Sequence, residues 1–173
     1  MVLCIAAFQL KAQSRLSRTG TVSFYSTAAM ENIEAHNRQV ITKLDVTSGQ
    51  ISFGILIKAF QFEKQLMYQQ FNQDYLESQR FPKASFQGQI QNLSNINFDQ
   101  DGTYPVSVRG ILNIHGVSKG VEEKGTISIQ GEQIKIRAKF PILLSDYQVK
   151  RPAILKDKIA KDVSVEIDAV FND

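Results

Sequence analysis

Residues 65–90 read QLMYQQFNQDYLESQRFPKASFQGQI, and their hydrophobic period changes in the middle. Met67, Phe71 and Tyr75 recur every four residues, with Leu66 beside Met67, as on one face of an amphipathic helix. Beyond Phe81-Pro82 the apolar and small residues recur every two (Ala84, Phe86, Gly88, Ile90), the pattern of a half-buried strand. Proline cannot continue a helix and drives the residue before it into extended geometry, so the switch has a physical cause. A helix beside a long alternating strand predicts a lid on a sheet.

The flanking sequence extends the sheet in both directions. Upstream, residues 20–26 alternate through Val22 and Phe24, and residues 28–37 (AAMENIEAHN) read as a helical or irregular connector. Residues 38–46 and 50–62 flank Thr47-Ser48-Gly49 and read as a hairpin. The second arm alternates through Ile51, Phe53, Ile55 and Ile57, then slips phase before Phe60 and Phe62, which predicts a bulge near Lys58. The helix is expected over residues 63–75 and the next strand over 83–91. Asp101-Gly102 is a turn signal, and residues 103–115 read as a long strand with Val106, Val108, Leu112 and Ile114 on one face. Residues 116–120 are expected to turn the chain. Residues 121–130 and 133–142 form a second hairpin, with Ile127, Ile129, Ile134, Ile136, Ala138 and Phe140 facing one way. Glu122, Lys124, Lys135, Arg137 and Lys139 face the other. After a lysine-rich connector, residues 161–171 alternate through Val163, Val165, Ile167, Ala169 and Phe171.

The expected fold is all-β with one or two short helices. About eight antiparallel strands suit a small closed barrel, with a sandwich as the competing architecture. Long strands favour the barrel. So do the small residues Ala84, Gly88, Gly110, Ala138 and Ala169, which interrupt the inward rows and leave room for a ligand. The alternative is that they merely permit twist and closure.

At 173 residues and 43% hydrophobic, one domain can bury a sizeable core. A net charge of +3, spread without blocks, does not point to nucleic acid. The apolar run Val2 to Phe8, followed by Leu10-Lys11-Ala12-Gln13, reads as the end of a secretory signal, though without a positively charged start; a first strand is the alternative. The expected organisation is a signal-peptide remnant at 1–12, a linker at 13–19 and a single barrel domain at 20–173. The one cysteine, Cys4, would leave with the signal, which suits an oxidising compartment. A periplasmic or secreted location is expected, with no membrane-spanning segment.

Several apparent chemical motifs dissolve on inspection. Residues 116–120 (GVSKG) match G-x-S-x-G, but strands flank them and no histidine follows Ser118. Residues 97–102 (NFDQDG) open like a calcium loop, yet its twelfth position, which needs glutamate, is Val108. The only two histidines, His36 and His115, have no metal-ligand spacing. His115, beside Gly116, reads as a structural rim residue. Glu122 and Glu123 point to opposite faces of a strand and cannot act as an acid/base pair. Asn92-Leu93-Ser94 is a glycosylation triplet that matters only in a host that modifies such sites. The basic residues Lys150, Arg151, Lys156, Lys158 and Lys161 read as a solvated face, or as contacts to an anionic head group at the barrel mouth. No catalytic residue, metal site or cofactor is expected, and an enzyme is not the favoured reading.

Residues 71–88 (FNQDYLESQRFPKASFQG) resemble the signature of the YceI-like family, in which a helix ending in Tyr-Leu-Glu-Ser is followed by aromatic-Pro and Ala-x-Phe-x-Gly. Residues 110–117 (GILNIHGV) resemble its Gly-x-Leu-x-(Ile/Leu)-(His/Arg)-Gly strand. Residues 20–24 (GTVSF), 49–53 (GQISF) and Asp146-Tyr147 resemble further landmarks. The connector at 28–36 departs from the short His-containing stretch of many members. The resemblance implies a lipocalin-like antiparallel barrel, usually exported to the bacterial periplasm, that holds a polyisoprenoid or isoprenoid quinone. It supplies no catalytic residues.

The resulting expectation is a carrier or sequestering protein whose inward apolar rows enclose an isoprenoid lipid or quinone, with the helix limiting escape. The candidate ligand-binding residues are Phe53, Ile55, Ile57, Met67, Phe71, Phe86, Val108, Leu112, Ile136, Ala138 and Phe140. The rival is an exported structural or stress-response barrel filled by its own side chains. Oligomeric state is open, with a homodimer as one alternative.

Overall fold

The computed structural model describes residues 14–27, 32–150 and 160–172. The strands in chain order are β1 (Ser14–Ser17), β2 (Thr19–Thr27), β3 (Asn32–Asn37), β4 (Val40–Asp45), β5 (Gln50–Leu56) and β6 (Phe60–Phe62). Helix α1 (Gln65–Gln70) follows and continues as a π-helical turn over Phe71–Tyr75. Then come β7 (Lys83–Ile90), β8 (Gly102–Ile114), β9 (Val117–Gln130), β10 (Gln133–Leu143) and β11 (Asp162–Phe171).

All described strands join one antiparallel sheet in the order β1-β4-β5-β7-β8-β9-β10-β11-β2-β3-β6. The all-β class holds, but the count is eleven rather than eight, and the ladder ends at β1 and β6 instead of closing. The three extra strands have local causes. Residues 14–17, expected as linker, pair with β4 from Ser14↔Asp45 to Ser17↔Thr42. Residues 32–37, expected as an irregular connector, pair with β2. The phase slip near Lys58 is a 3-10 turn over Ile57–Ala59, which splits the expected long strand into β5 and β6. The curl of the sheet brings β1 against β11, where the Ser17 and Thr19 hydroxyls both donate to the Val170 carbonyl.

The alternation of the strands determines which faces they bury. Ile127 and Ile129 on β9 lie opposite Ile136 and Ile134 on β10, and all four are buried. With Leu44, Ile51, Ile90, Ile96, Val106, Ala169 and Phe171 they form a packed core at one end of the sheet. Fully burying side chains of this size contributes about 1.5–3 kcal/mol each. The outward positions of the same strands carry ion pairs, among them Arg109 with Glu122 at 2.8 Å and Lys139 with Glu166 at 2.6 Å. Such exposed pairs contribute little to stability, at most about 1 kcal/mol.

The turn between β8 and β9 is shorter than expected. Residues 117–120 already belong to β9, and His115 and Gly116 alone make the connection, both with positive φ (53° and 74°). Two successive residues of that kind suit a tight primed hairpin turn. A Cβ on Gly116 would also meet the Phe81 ring at 2.5 Å. The helix likewise stops earlier than Pro82. Glu77 adopts φ 42°, and the Ser78 amide donates to the Asn72 carbonyl at 2.8 Å, so the chain has reversed before the proline opens β7.

Gly88 and Gly110 face each other across β7 and β8. The expectation that they leave room for a ligand is corrected: the Phe86 ring lies over both. A Cβ on Gly110 would stand 2.3 Å from the Gln87 carbonyl oxygen and 2.6 Å from the Gly88 Cα. Backbone cannot yield there as a flexible side chain could. Gly110→Ala should therefore lower unfolding stability by roughly 1–3 kcal/mol, read as a lower urea midpoint at unchanged slope. An unchanged midpoint would contradict this close approach.

Candidate functional site

Away from the packed end, the inward rows do not meet. They surround a cavity of about 260 Å³. A single water needs only about 10–15 Å³, so this is not an ordinary packing defect. Its wall is built from alternate residues of most strands, and α1 with its π-turn covers it through Met67, Gln70, Phe71 and Tyr75.

Aromatic packing holds the cover in place. Phe71 stacks on Phe24 of β2 with ring centroids 5.4 Å apart and planes at 18°. It also meets Phe60 at 5.4 Å and Phe62 at 5.0 Å, both on β6. Such contacts contribute about 0.5–1.5 kcal/mol each beyond burial. The π-turn makes this possible: the Leu76 amide donates to the Phe71 carbonyl at 2.9 Å, five residues back, widening the helix where Phe71 turns toward the sheet. At the far end of the cover, His115 bridges two segments. Its Nδ1 donates to the Tyr147 carbonyl at 3.1 Å and its Nε2 faces the Glu77 carboxylate at 2.7 Å. The ring also packs edge-on against Phe81 at 4.5 Å.

The wall is not uniform. The β9–β10 ladder runs only from Gln130↔Gln133 to Gly125↔Ala138. Beyond that point β9 stays on β8 as far as Val117, and β10 stays on β11 as far as Leu143. The two strands therefore part. The 3-10 turn at Leu144–Tyr147 and the following residues occupy this region, with Tyr147 and Val149 buried. Lys119 of β9 and Asp146 of the turn form an ion pair at 2.9 Å across the parting. Glu123 stands just past it, opposite Val108 and directed at the cavity. Burial pushes the Glu123 carboxyl above its ordinary range, toward the neutral form. Burial likewise raises the hydroxyls of Tyr75 and Tyr147, and for Tyr147 the charges of Asp146 and Glu123 add to the shift.

All eleven candidate residues border this cavity: Phe53, Ile55 and Ile57 from β5 and the turn after it, Met67 and Phe71 from the cover, Phe86 from β7, Val108 and Leu112 from β8, and Ile136, Ala138 and Phe140 from β10. Of the small residues expected to leave room, Ala84 and Ala138 border the cavity, whereas Ala169 belongs to the packed end. Sequence reading missed Phe24, Phe60, Phe62, Glu123 and Tyr147 as lining residues. Phe24 was legible from its alternation with Val22. Glu123 follows from the same parity that turns Glu122 outward. Tyr147 had no periodic signal, because it arrives on a turn.

The other apparent motifs take structural roles. The Asn113 amide donates to Ser118 Oγ at 2.8 Å across the β8–β9 hairpin. Asp101 Oδ1 accepts from the Gly131 amide at 2.8 Å. Ser23 Oγ and His36 Nδ1 share a hydrogen bond of 2.8 Å between β2 and β3. Among the described residues no group of acidic, histidine or cysteine side chains could hold a metal, and no helix is long and apolar enough to cross a membrane. Cys4, the expected signal segment and Arg151, Lys156 and Lys158 lie outside the described residues.

The fold is shared with solved structures. A polyisoprenoid binding domain from Saccharophagus degradans, implicated in plant cell wall breakdown, superposes with a TM-score of 0.79 at 13% identity, over 94% of this chain and 99% of that one. BcnA of Burkholderia cenocepacia gives 0.71 at 19% identity, over 87% and 95%. The YceI protein of Campylobacter jejuni gives 0.63 at 17% identity, over 83% and 87%. A comparison with curated proteins gives no match. The family model described as YceI-like domain matches residues 11–171. With that match spanning nearly the whole sheet, the chain belongs to the YceI-like domain family.

Proposed function

We propose that the protein is an exported carrier or sequestering protein that holds an isoprenoid-type lipid, a polyprenyl chain or an isoprenoid quinone, inside the covered cavity. The observation that carries this reading is a space of about 260 Å³ with almost wholly apolar walls and an aromatic-anchored cover. Filling an apolar space of this kind with a hydrocarbon chain is favourable, because the chain leaves water. Each buried methylene contributes roughly 0.8 kcal/mol, so several isoprene units bind firmly without a polar contact. Family membership and the likeness to a polyisoprenoid binding domain support the choice of isoprenoid. The role is binding rather than catalysis. Export is proposed from the apolar run at residues 2–8.

A second reading draws on the packed end and on Phe86, whose ring occupies the space above Gly88 and Gly110. A protein whose interior is largely self-filled could serve a structural or stress-response role with no lipid. Extraction of the purified protein with organic solvent, followed by mass spectrometry, separates the two. A co-purifying prenyl lipid at near-stoichiometric yield is expected. Absence of any co-purifying lipid, together with no uptake of an added prenyl ligand, would exclude the carrier role.

Ala138 borders the cavity where β9 and β10 part. Ala138→Phe should fill part of the space, keep the β-sheet circular dichroism spectrum, and weaken prenyl-lipid uptake by about tenfold or more. Uptake equal to that of the parent would show that the lipid does not occupy this space.

A further inference from the structure

We infer that Glu123 is a head-group residue: together with the Tyr147 hydroxyl it makes the cavity selective for an uncharged oxygen head, a hydroxyl or a quinone carbonyl, over a phosphate. The inference rests on the carrier reading above and adds the chemistry of the ligand's polar end.

Glu123 is the only acidic side chain among the described residues that border the cavity. Its placement is fixed by parity: Val121, Glu123 and Gly125 alternate inward on β9, while Glu122 turns outward to Arg109. Because β9 has left β10 at Gly125, no β10 residue lies opposite Glu123 to pair with it. Among the described residues neither the Glu123 carboxyl nor the Tyr147 hydroxyl has a hydrogen-bond or ionic partner. A partly buried carboxyl left unpartnered in an apolar wall is unfavourable. A ligand oxygen would satisfy it.

The charge pattern selects the head. A carboxyl at Glu123 can accept from a ligand hydroxyl, and the Tyr147 phenol can donate to a carbonyl or accept from a hydroxyl. A phosphate instead needs cations. Lys124 and Arg137 also border the cavity, but Lys124 is exposed at an outward position and Arg137 bonds Asp168 at 3.1 Å. Lys119 at the rim is held by Asp146. A phosphate at this point would face Glu123 with no compensating cation directed inward among the described residues.

The test is a competition for the purified, lipid-stripped protein. Four isoprenoids of matched chain length are offered together from phosphatidylcholine vesicles: an alcohol, a quinone, a phosphate and a headless hydrocarbon. Bound lipid is then quantified by mass spectrometry. The unmodified protein should take up alcohol and quinone at least about tenfold over phosphate. Glu123→Leu should lose roughly 2- to 10-fold of its preference for alcohol and quinone over the hydrocarbon, the range set by one hydrogen bond, and Glu123→Gln should restore most of it. Total uptake by Glu123→Leu should persist, and its melting temperature should not fall, because the change removes an unpartnered carboxyl. Preference for the phosphate, or an alcohol-to-hydrocarbon ratio unmoved by Glu123→Leu, would overturn the head-group role and leave the carrier reading standing. Failure to take up any of the four, the hydrocarbon included, would overturn both.

Discussion

Phe71 is the contact on which the cover of the cavity depends. Its ring stacks on Phe24 and touches Phe60 and Phe62, so one side chain ties the covering helix to β2 and β6 at once. Helix α1 itself is short, has no side-chain cap and buries none of its residues. A helix of this length has no independent stability in water, because nucleation costs more than its few hydrogen bonds return. Tertiary packing must hold it, and Phe71 supplies three of the ring contacts that do so. The π-turn is the local distortion that carries the ring there.

The second constraint is the parting of β9 and β10. A continuous ladder would bring two long inward rows together and fill the space between them, as Ile127, Ile129, Ile134 and Ile136 do at the packed end. Past Gly125 and Ala138 the strands separate, and a 3-10 turn carrying Tyr147 fills part of the breach. The ion pair of Lys119 with Asp146 and the bond from His115 to the Tyr147 carbonyl fasten that turn. One end of the molecule is therefore core and the other is cavity, although both are lined by the same alternating pattern.

That division explains what could be read from the residues. Period-two rows on β5, β8, β10 and β11 identified the inward faces, and the period change at Phe81-Pro82 located the cover. Nine lining residues could be named from strand parity, and Met67 and Phe71 from the helical period. Three strands were not legible. β1 and β6 are too short for alternation to register, and the β3 segment reads AAMENIEAHN with its connector, without an apolar row. Their pairing is supplied by neighbours in the sheet rather than by their own composition. The room left by Gly88 and Gly110 was misread for a related reason: a sequence shows a missing side chain but not the Phe86 ring that lies across it. Tyr147 arrives on a turn that no periodicity marks.

A lipid held inside the cavity touches the methyl groups that line it, and methyl NMR reads that directly. With isotope-labelled methyl groups, titration of the lipid-stripped protein with a polyprenol should shift Ile55, Met67, Val108, Leu112 and Ile136, which border the cavity. Ile129 and Ile134 in the packed end should stay in place. Shifts confined to exposed residues such as Leu16, Ile41 and Ile111, or none at saturating lipid, would contradict an internal binding site.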